Sequence, residues 1–315
     1  MGQERIAEQF LQSLARDTLS HVMILLGPEG SGKSTLANYF ARALLCTGNN
    51  VPCGVCGACV RSASGNHPDL HVVIPSRPGA FRTADAEALQ KILSVRPYEG
   101  TRRVLILPDA QRMTEEAQNK LLKVLEEPPS DTYIFLLATT LAPFLPTVLS
   151  RCAQMNLDRM DRDSMLSYLR RECPEADPVK VSHAVSYSQG WPGRARDLLN
   201  NDAYWSARRE YADYLLHAHS LQGKLNMCSR FLKNKEDLLS ALDTWECMLR
   251  DASLHGTKVA CLQADLSREI EELATRYKPE ELLTLWKAMQ EARNALMQNA
   301  SPGMTLDSLL AAWTV

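Results

Sequence analysis

Eight residues set the strongest limit on how this chain can fold: residues 27–34 read GPEGSGKS, a full match to G-x-x-x-x-G-K-[ST]. Such a loop cradles phosphate only when a strand delivers it and a helix leaves it, because the cradle is made of backbone N–H groups at a helix N-terminus. Both flanks are present. Residues 21–26 (HVMILL) are a short apolar run that predicts a buried strand, and residues 36–45 have helical spacing. The glycines let N–H groups turn inward, Lys33 reaches the outer phosphates, and Ser34 ligates magnesium. Gly27, Gly30, Gly32, Lys33, Ser34 and Thr35 are therefore the candidate residues for ATP or ADP with magnesium. The competing reading, a Gly-rich turn that binds nothing, is disfavoured by the match at every position and at both flanks.

The alternation continues through the first half. Residues 70–74 (LHVVI), 104–107 and 133–138 predict further strands; residues 84–93 and 115–125 predict helices, the second stopped by Pro128 and Pro129. Apolar strands alternating with helices imply a parallel sheet covered on both faces. After about residue 157 no convincing strand remains. Residues 161–173, 178–188 and 193–199 predict short helices, and residues 231–254, 262–277 and 280–298 longer amphipathic ones. The expected organisation is an α/β P-loop domain at 1–157, a small helical domain at 158–202 and a larger all-α domain at 203–315.

A chain of 315 residues has room for these parts, and a net charge of -2 excludes a wholesale polyanion binder. Any DNA contact must come from a local patch or a partner. Residues 1–10 are polar and carry no secretory pattern. The longest apolar region, residues 133–146, is too short for a bilayer and holds two threonines and two prolines. The expectation is a soluble, cytoplasmic protein with no membrane association.

Of nine cysteines, four are clustered: Cys46, Cys53, Cys56 and Cys59, spaced C-x6-C-x2-C-x2-C with Gly54 and Gly57 between them. An odd total and one tight cluster argue against a disulfide framework. Four thiolates at this spacing suit a structural zinc ion, with an iron–sulfur cluster as the alternative. His67 and His71 are near, but four cysteines already complete a tetrahedral shell. The other five cysteines read as small buried hydrophobes.

A P-loop followed directly by a four-cysteine insertion, LLKVLEEPP at residues 121–129 and LSRC at residues 149–152 together resemble the bacterial DNA polymerase III clamp-loader family. These are AAA+ proteins that open a ring-shaped sliding clamp and place it on primed DNA. The resemblance covers nearly the whole chain and is strongest over residues 27–152. It implies that residues 158–202 are a lid domain and residues 203–315 a collar domain that oligomerises with gamma/tau and delta subunits. It implies that Arg151 reaches in trans to the nucleotide of a neighbouring motor subunit, that Thr139 and Thr140 occupy the first sensor position, and that Arg194 in GWPGR is the second-sensor arginine. In the terminal QNASPGMTLDSLLAAW, Asn299 and Pro302 punctuate two closing helices.

Two kinds of subunit share these motifs: the ATP-hydrolysing gamma/tau motor and the delta-prime subunit. The stretch RVLILPDAQRM, from Arg103, favours the second. Asp109 can order the magnesium shell, but Ala110 stands where a hydrolytic ATPase places glutamate, and a methyl group cannot polarise water. Losing such a group costs roughly 10²–10⁴-fold in rate. Glu115 and Glu116 lie a helical turn or more away and do not substitute. The expectation is a delta-prime-like subunit that hydrolyses poorly, with nucleotide binding left open. A gamma-like motor and a stand-alone P-loop enzyme are the rivals.

Overall fold

The computed structural model describes residues 2–313 except 77, 78, 101, 130, 233, 258, 260, 262, 299 and 312. The helix start expected at Leu262 and the punctuation expected at Asn299 lie outside the described residues. The chain divides into two compact units, residues 1–172 with 190–194, and residues 173–189 with 195–315.

The first unit is built on a five-stranded, all-parallel sheet of order β2-β3-β4-β1-β5, with β1 Val22–Leu26, β2 Leu70–Val72, β3 Arg103–Leu107, β4 Thr132–Ala138 and β5 Ala153–Asn156. The side chains of β3 and β4 are buried throughout and those of β1 nearly so, because helices cover both faces. α1 (Glu4–Ala15), which the polar residues 1–10 concealed, turns Ile6, Ala7 and Phe10 inward. Phe10 stacks on Phe40 of α2 (Lys33–Leu45) at 3.8 Å, and Phe40 meets Phe135 of β4 at 5.8 Å. α3 (Gly57–Ala63) closes the cysteine insertion. α4 (Thr83–Leu93) and α5 (Glu115–Glu126) share an apolar cluster that contains Leu89, Leu105, Leu121 and Leu136. α6 (Pro146–Leu149) and α7 (Arg162–Glu172) complete the unit's helices up to residue 172.

The sheet holds one strand more than the four expected. β5 pairs with β1 from Met23↔Ala153 to Leu26↔Asn156. It lies at an edge and alternates half-buried with exposed side chains, so AQMN carries no apolar run.

Within the second unit, α8 (Pro178–Tyr187), residues 195–199 of α9 (Pro192–Leu199), α10 (Asp202–His217), α11 (Leu221–Phe231), α12 (Lys235–Ser253), α13 (Ser267–Arg276), α14 (Pro279–Met297) and α15 (Pro302–Ala311) supply the described helices. The single helix expected over residues 231–254 is two. Phe231 ends α11, and Asn234 caps α12 by accepting from the Asp237 N–H. Trp245 is 0% exposed at the centre of this core, donates Nε1–H to the Tyr211 carbonyl at 2.6 Å, and meets Phe231 edge-on at 5.5 Å. Arg208, 2% exposed, forks onto Asp265 at 2.8 and 3.1 Å and lies 4.2 Å from the Tyr187 ring centroid. It thereby ties α8 and α10 to the 3-10 turn Ala264–Leu266. Among the described residues no helix is long and apolar enough to cross a membrane.

Trp245→Ala removes the largest buried side chain of the helical core and leaves the Tyr211 carbonyl unpaired. Urea unfolding of the variant is expected to show a loss of about 3–5 kcal/mol; an unchanged midpoint would contradict this packing.

Candidate functional site: a phosphate loop and a cysteine cluster

The sheet register brings three strand ends together. Leu26 pairs with Ala138, and Leu107 pairs with Leu136, so the chain leaves β1, β3 and β4 on the same edge. Ligands of open α/β sheets bind beyond this carboxyl edge. Gly27, Asp109 and Thr139 all follow these ends within two residues.

The loop itself is shaped by glycine. Gly30 and Gly32 have φ of 72° and 92°, the left-handed region that side chains avoid. A Cβ on Gly27 would stand 2.7 Å from the Ser31 hydroxyl. Lys33 opens α2, and its ammonium donates to the carbonyls of Gly27 at 2.7 Å and Pro28 at 2.8 Å. An ammonium has three N–H groups, so one remains to face the cradle. Burial pushes Lys33 below the ordinary lysine range, offset by the charges of Asp109 and Glu29. The Ser31 hydroxyl is buried with no protein partner among the described residues. Ser34 and Thr35 lie exposed in the first turn of α2. These features fit a phosphate group: a preorganised cation, a helix N-terminus and an orphaned hydroxyl at one loop.

Segment 190–194 packs directly on that loop. The Gly193 N–H donates to the Gly30 carbonyl at 2.8 Å, and a Cβ on Gly30 would stand 2.6 Å from the Arg194 backbone nitrogen. The Arg194 backbone thus lies close against the loop. Gly190 is left-handed as well, with φ of 86°.

Asp109 has φ of 49° and is exposed at the mouth of the loop; Ala110 turns away from it. Ala110 is 2% exposed and packs in the apolar cluster with Leu107, Met113, Ala117 and Phe144. Gln111, which sequence reasoning passed over, joins two site elements. Its Nε2–H donates to the Asp109 carboxylate at 3.4 Å, and its Oε1 accepts from the Thr139 N–H at 3.3 Å. The Thr140 hydroxyl accepts from the Ala142 N–H and so serves its own turn. Gln118 was also missed. It is 1% exposed on the apolar face of α5, donates to the carbonyls of Met113 and Pro143, and accepts from the Leu145 N–H at 2.8 Å. A lone glutamine on the face of Ala117 and Leu121 was the signal. Among the described residues the Arg151 side chain engages none of the phosphate loop; it meets Thr147, Ser150 and Glu126.

The four cysteines do converge. Their sulfurs lie within 4.8 Å of one another, with Cys46–Cys56 and Cys53–Cys59 each at 4.0 Å. A tetrahedral tetrathiolate with bonds near 2.3 Å has S···S separations of about 3.8 Å, so the cage already has metal-binding dimensions. Backbone N–H groups donate inward: Gly48 and Cys53 to the Cys46 sulfur at 3.4 Å each, Cys56 to Cys53 at 3.3 Å and Cys59 to Cys56 at 3.4 Å. Hydrogen bonds from the Thr47 and Cys59 backbone push Cys56 down to about 5, while burial pushes Cys59 up to about 12. A bound cation is what would deprotonate all four together. His67 stands apart, accepting from the Asp69 N–H at 3.1 Å.

Comparison with known proteins matches most of the chain to one family. The family model described as "DNA polymerase III, delta subunit" matches residues 2–161, and "DNA polymerase III, delta subunit, C terminal" matches residues 202–314. The chain is 27% identical to "DNA polymerase III subunit delta'" of Bacillus subtilis, over 95% of this chain and 92% of that protein. It is 28% identical to the delta' subunit of Pseudomonas aeruginosa, over 93% and 92%. "DNA polymerase III subunit tau/gamma" of Haemophilus influenzae is 32% identical, but over 64% of this chain and 29% of that protein.

Two outcomes follow from the geometry. Ala110→Glu places a carboxylate in an apolar cluster without a partner, so thermal or urea unfolding is expected to show a loss of roughly 2–4 kcal/mol; a stability equal to the parent would mean the position opens to the site. Stripping metal with a chelator is expected to make all four clustered cysteines react with a thiol reagent, and mass spectrometry of the labelled chain reads this directly. Equal labelling before and after chelation would rule the metal cage out.

Proposed function

The chain belongs to the DNA polymerase III delta-subunit family, and on that premise we propose that it is the delta-prime-like subunit of a clamp loader. In this reading it stands in a ring with gamma/tau motor and delta subunits that loads the sliding clamp onto primed DNA in the cytoplasm. Residues 1–157 are the AAA+ domain, 158–202 the lid and 203–315 the collar. The exposed leucines 221 and 225 on α11 and 232 just beyond it, at spacings of four and seven, support use of the helical part for assembly.

The single observation that carries the supporting role over a motor role is position 110. The phosphate loop, Lys33 and Asp109 are intact, but the side chain after Asp109 is a methyl group buried in the core. Lys33, Ser34 and Asp109 would hold a magnesium nucleotide, with Thr139 and Arg194 at its outer phosphate. The nucleotide supplies a phosphoanhydride, and the residue after Asp109 offers no carboxylate to draw a proton from water. Binding here would order the ring without releasing energy in this subunit. Arg151 acts instead in trans: a guanidinium is always charged and clamps phosphate oxygens in pairs. The cysteine cage holds one structural zinc.

Reconstitution with the motor and delta subunits, clamp and primed DNA tests this reading. An arginine acting in trans is worth about 10³–10⁵ in turnover at the site it serves. Arg151→Ala is therefore expected to silence one motor site and lower the clamp- and DNA-stimulated ATPase by that site's share. Unchanged ATPase would defeat the trans role. Turnover by the isolated parent chain at a motor's rate would restore the gamma-like reading.

A further inference from the structure

The Arg151 side chain is held in one pose by contacts outside the nucleotide machinery. It follows α6, and its Nη1 donates to the Thr147 carbonyl at 2.8 Å and to the Ser150 hydroxyl at 3.0 Å. Its Nη2 meets Glu126 Oε1 at 2.6 Å. Both hydrogen bonds come from Nη1, and Glu126 meets Nη2 as an ion pair. Nε–H has no partner among the described residues. Nε–H and Nη2 together form the side-on fork that matches two phosphate oxygens. The side chains of Arg151 and Glu126 are 35% and 43% exposed, so a partner can reach the free Nε–H.

Glu126 and Arg151 come from different elements whose spacing is set by one core. Glu126 is the last residue of α5, and Leu121 and Leu125 of that helix share a buried cluster with Val148 of α6. The carboxylate is therefore delivered by a packed scaffold and not by a loop. An arginine side chain without an anchor spreads over many rotamers, and ordering it on contact would weaken whatever it binds.

We propose that Glu126 is a positioning residue for Arg151, holding the guanidinium through an ion pair at Nη2 so that its free Nε–H is presented, already ordered, to the phosphates of the neighbouring subunit. The proposal rests on the trans role given to Arg151 above. The carboxylate lowers the net charge of the pair, but at a solvent-exposed position that attraction is largely screened. Order is the larger effect, and it comes from a carboxylate carried at a fixed place on α5.

The test uses the full chain in the reconstituted complex and compares Glu126→Ala, Glu126→Gln, Arg151→Ala and the double variant Glu126→Ala/Arg151→Ala. Stimulated ATPase is measured against ATP concentration, and thermal unfolding of each isolated chain is recorded. Glu126→Ala is expected to lower kcat at the served site about 3- to 10-fold, the order of effect of freeing one long side chain. KM for ATP and the unfolding temperature stay at the parent values. Glu126→Gln keeps the shape without the charge, and its kcat is expected to lie between those of Glu126→Ala and the parent. In the Arg151→Ala background, removing Glu126 changes nothing further.

A rise in kcat on Glu126→Ala would show that the carboxylate holds the arginine back, and would overturn the proposal. So would a fall that persists in the Arg151→Ala background, because Glu126 would then act independently. If Arg151→Ala lowers the rate and Glu126→Ala does not, positioning fails and the trans reading stands. If neither variant has an effect, both fail.

Discussion

The amide of Gly27 donates to the carbonyl of Ala138 at 3.1 Å, and through this bond the register of the sheet passes into the phosphate loop. β1 and β4 pair residue for residue up to Leu26 and Ala138. The next residue on one strand begins the loop, and the next on the other is Thr139. β3 pairs with β4 alongside and delivers Asp109 to the same edge. A slip of one residue in either pairing would turn inward side chains outward and separate all three. The buried faces of β1, β3 and β4 hold that register, so hydrophobic packing places the polar site.

Charge at this edge is carried by Lys33 and Asp109. Lys33 is braced by two carbonyls of its own loop, and burial disfavours its charge until an anion or Asp109 supports it. Asp109 takes a left-handed conformation, which directs the next residue into the core. Gln111 then bridges the aspartate to the end of β4. The loop thus sets a cation and a carboxylate side by side, with an apolar, buried residue next after the aspartate. Arg151 sits at a different place on the same unit, tied to Glu126 and to its own short helix.

Much of this was legible in the primary structure. The P-loop and its flanks located β1 and α2 because the motif needs that order. β3 and β4 announced themselves as apolar runs, being buried on both faces. The cysteine spacing predicted a cage that the fold closes to metal-binding distances. Other elements left weak traces. β5 is half exposed and reads as a polar loop. α1 buries one narrow stripe, Ile6, Ala7 and Phe10, under otherwise polar residues. The break between α11 and α12 rests on the Asn234 cap, which periodicity alone does not reveal. Gln111 and Gln118 act through hydrogen bonds to residues 25–28 positions away, and no local pattern encodes such a partner.

By itself the sequence determined which chemistry is available: a glycine-rich loop with its lysine, an aspartate followed by alanine, four clustered thiols and an arginine in LSRC. Residue identity fixes these, because chemistry belongs to the side chain. Tertiary structure alone decided where they point. It turned Ala110 into an apolar core, set the Gly193 amide on Gly30, and seated Glu126 against Arg151. Each of these is a contact between segments distant in sequence or an orientation set by packing. Such contacts exist only after the apolar faces have been buried together, so they are properties of the folded chain and not of any stretch of it.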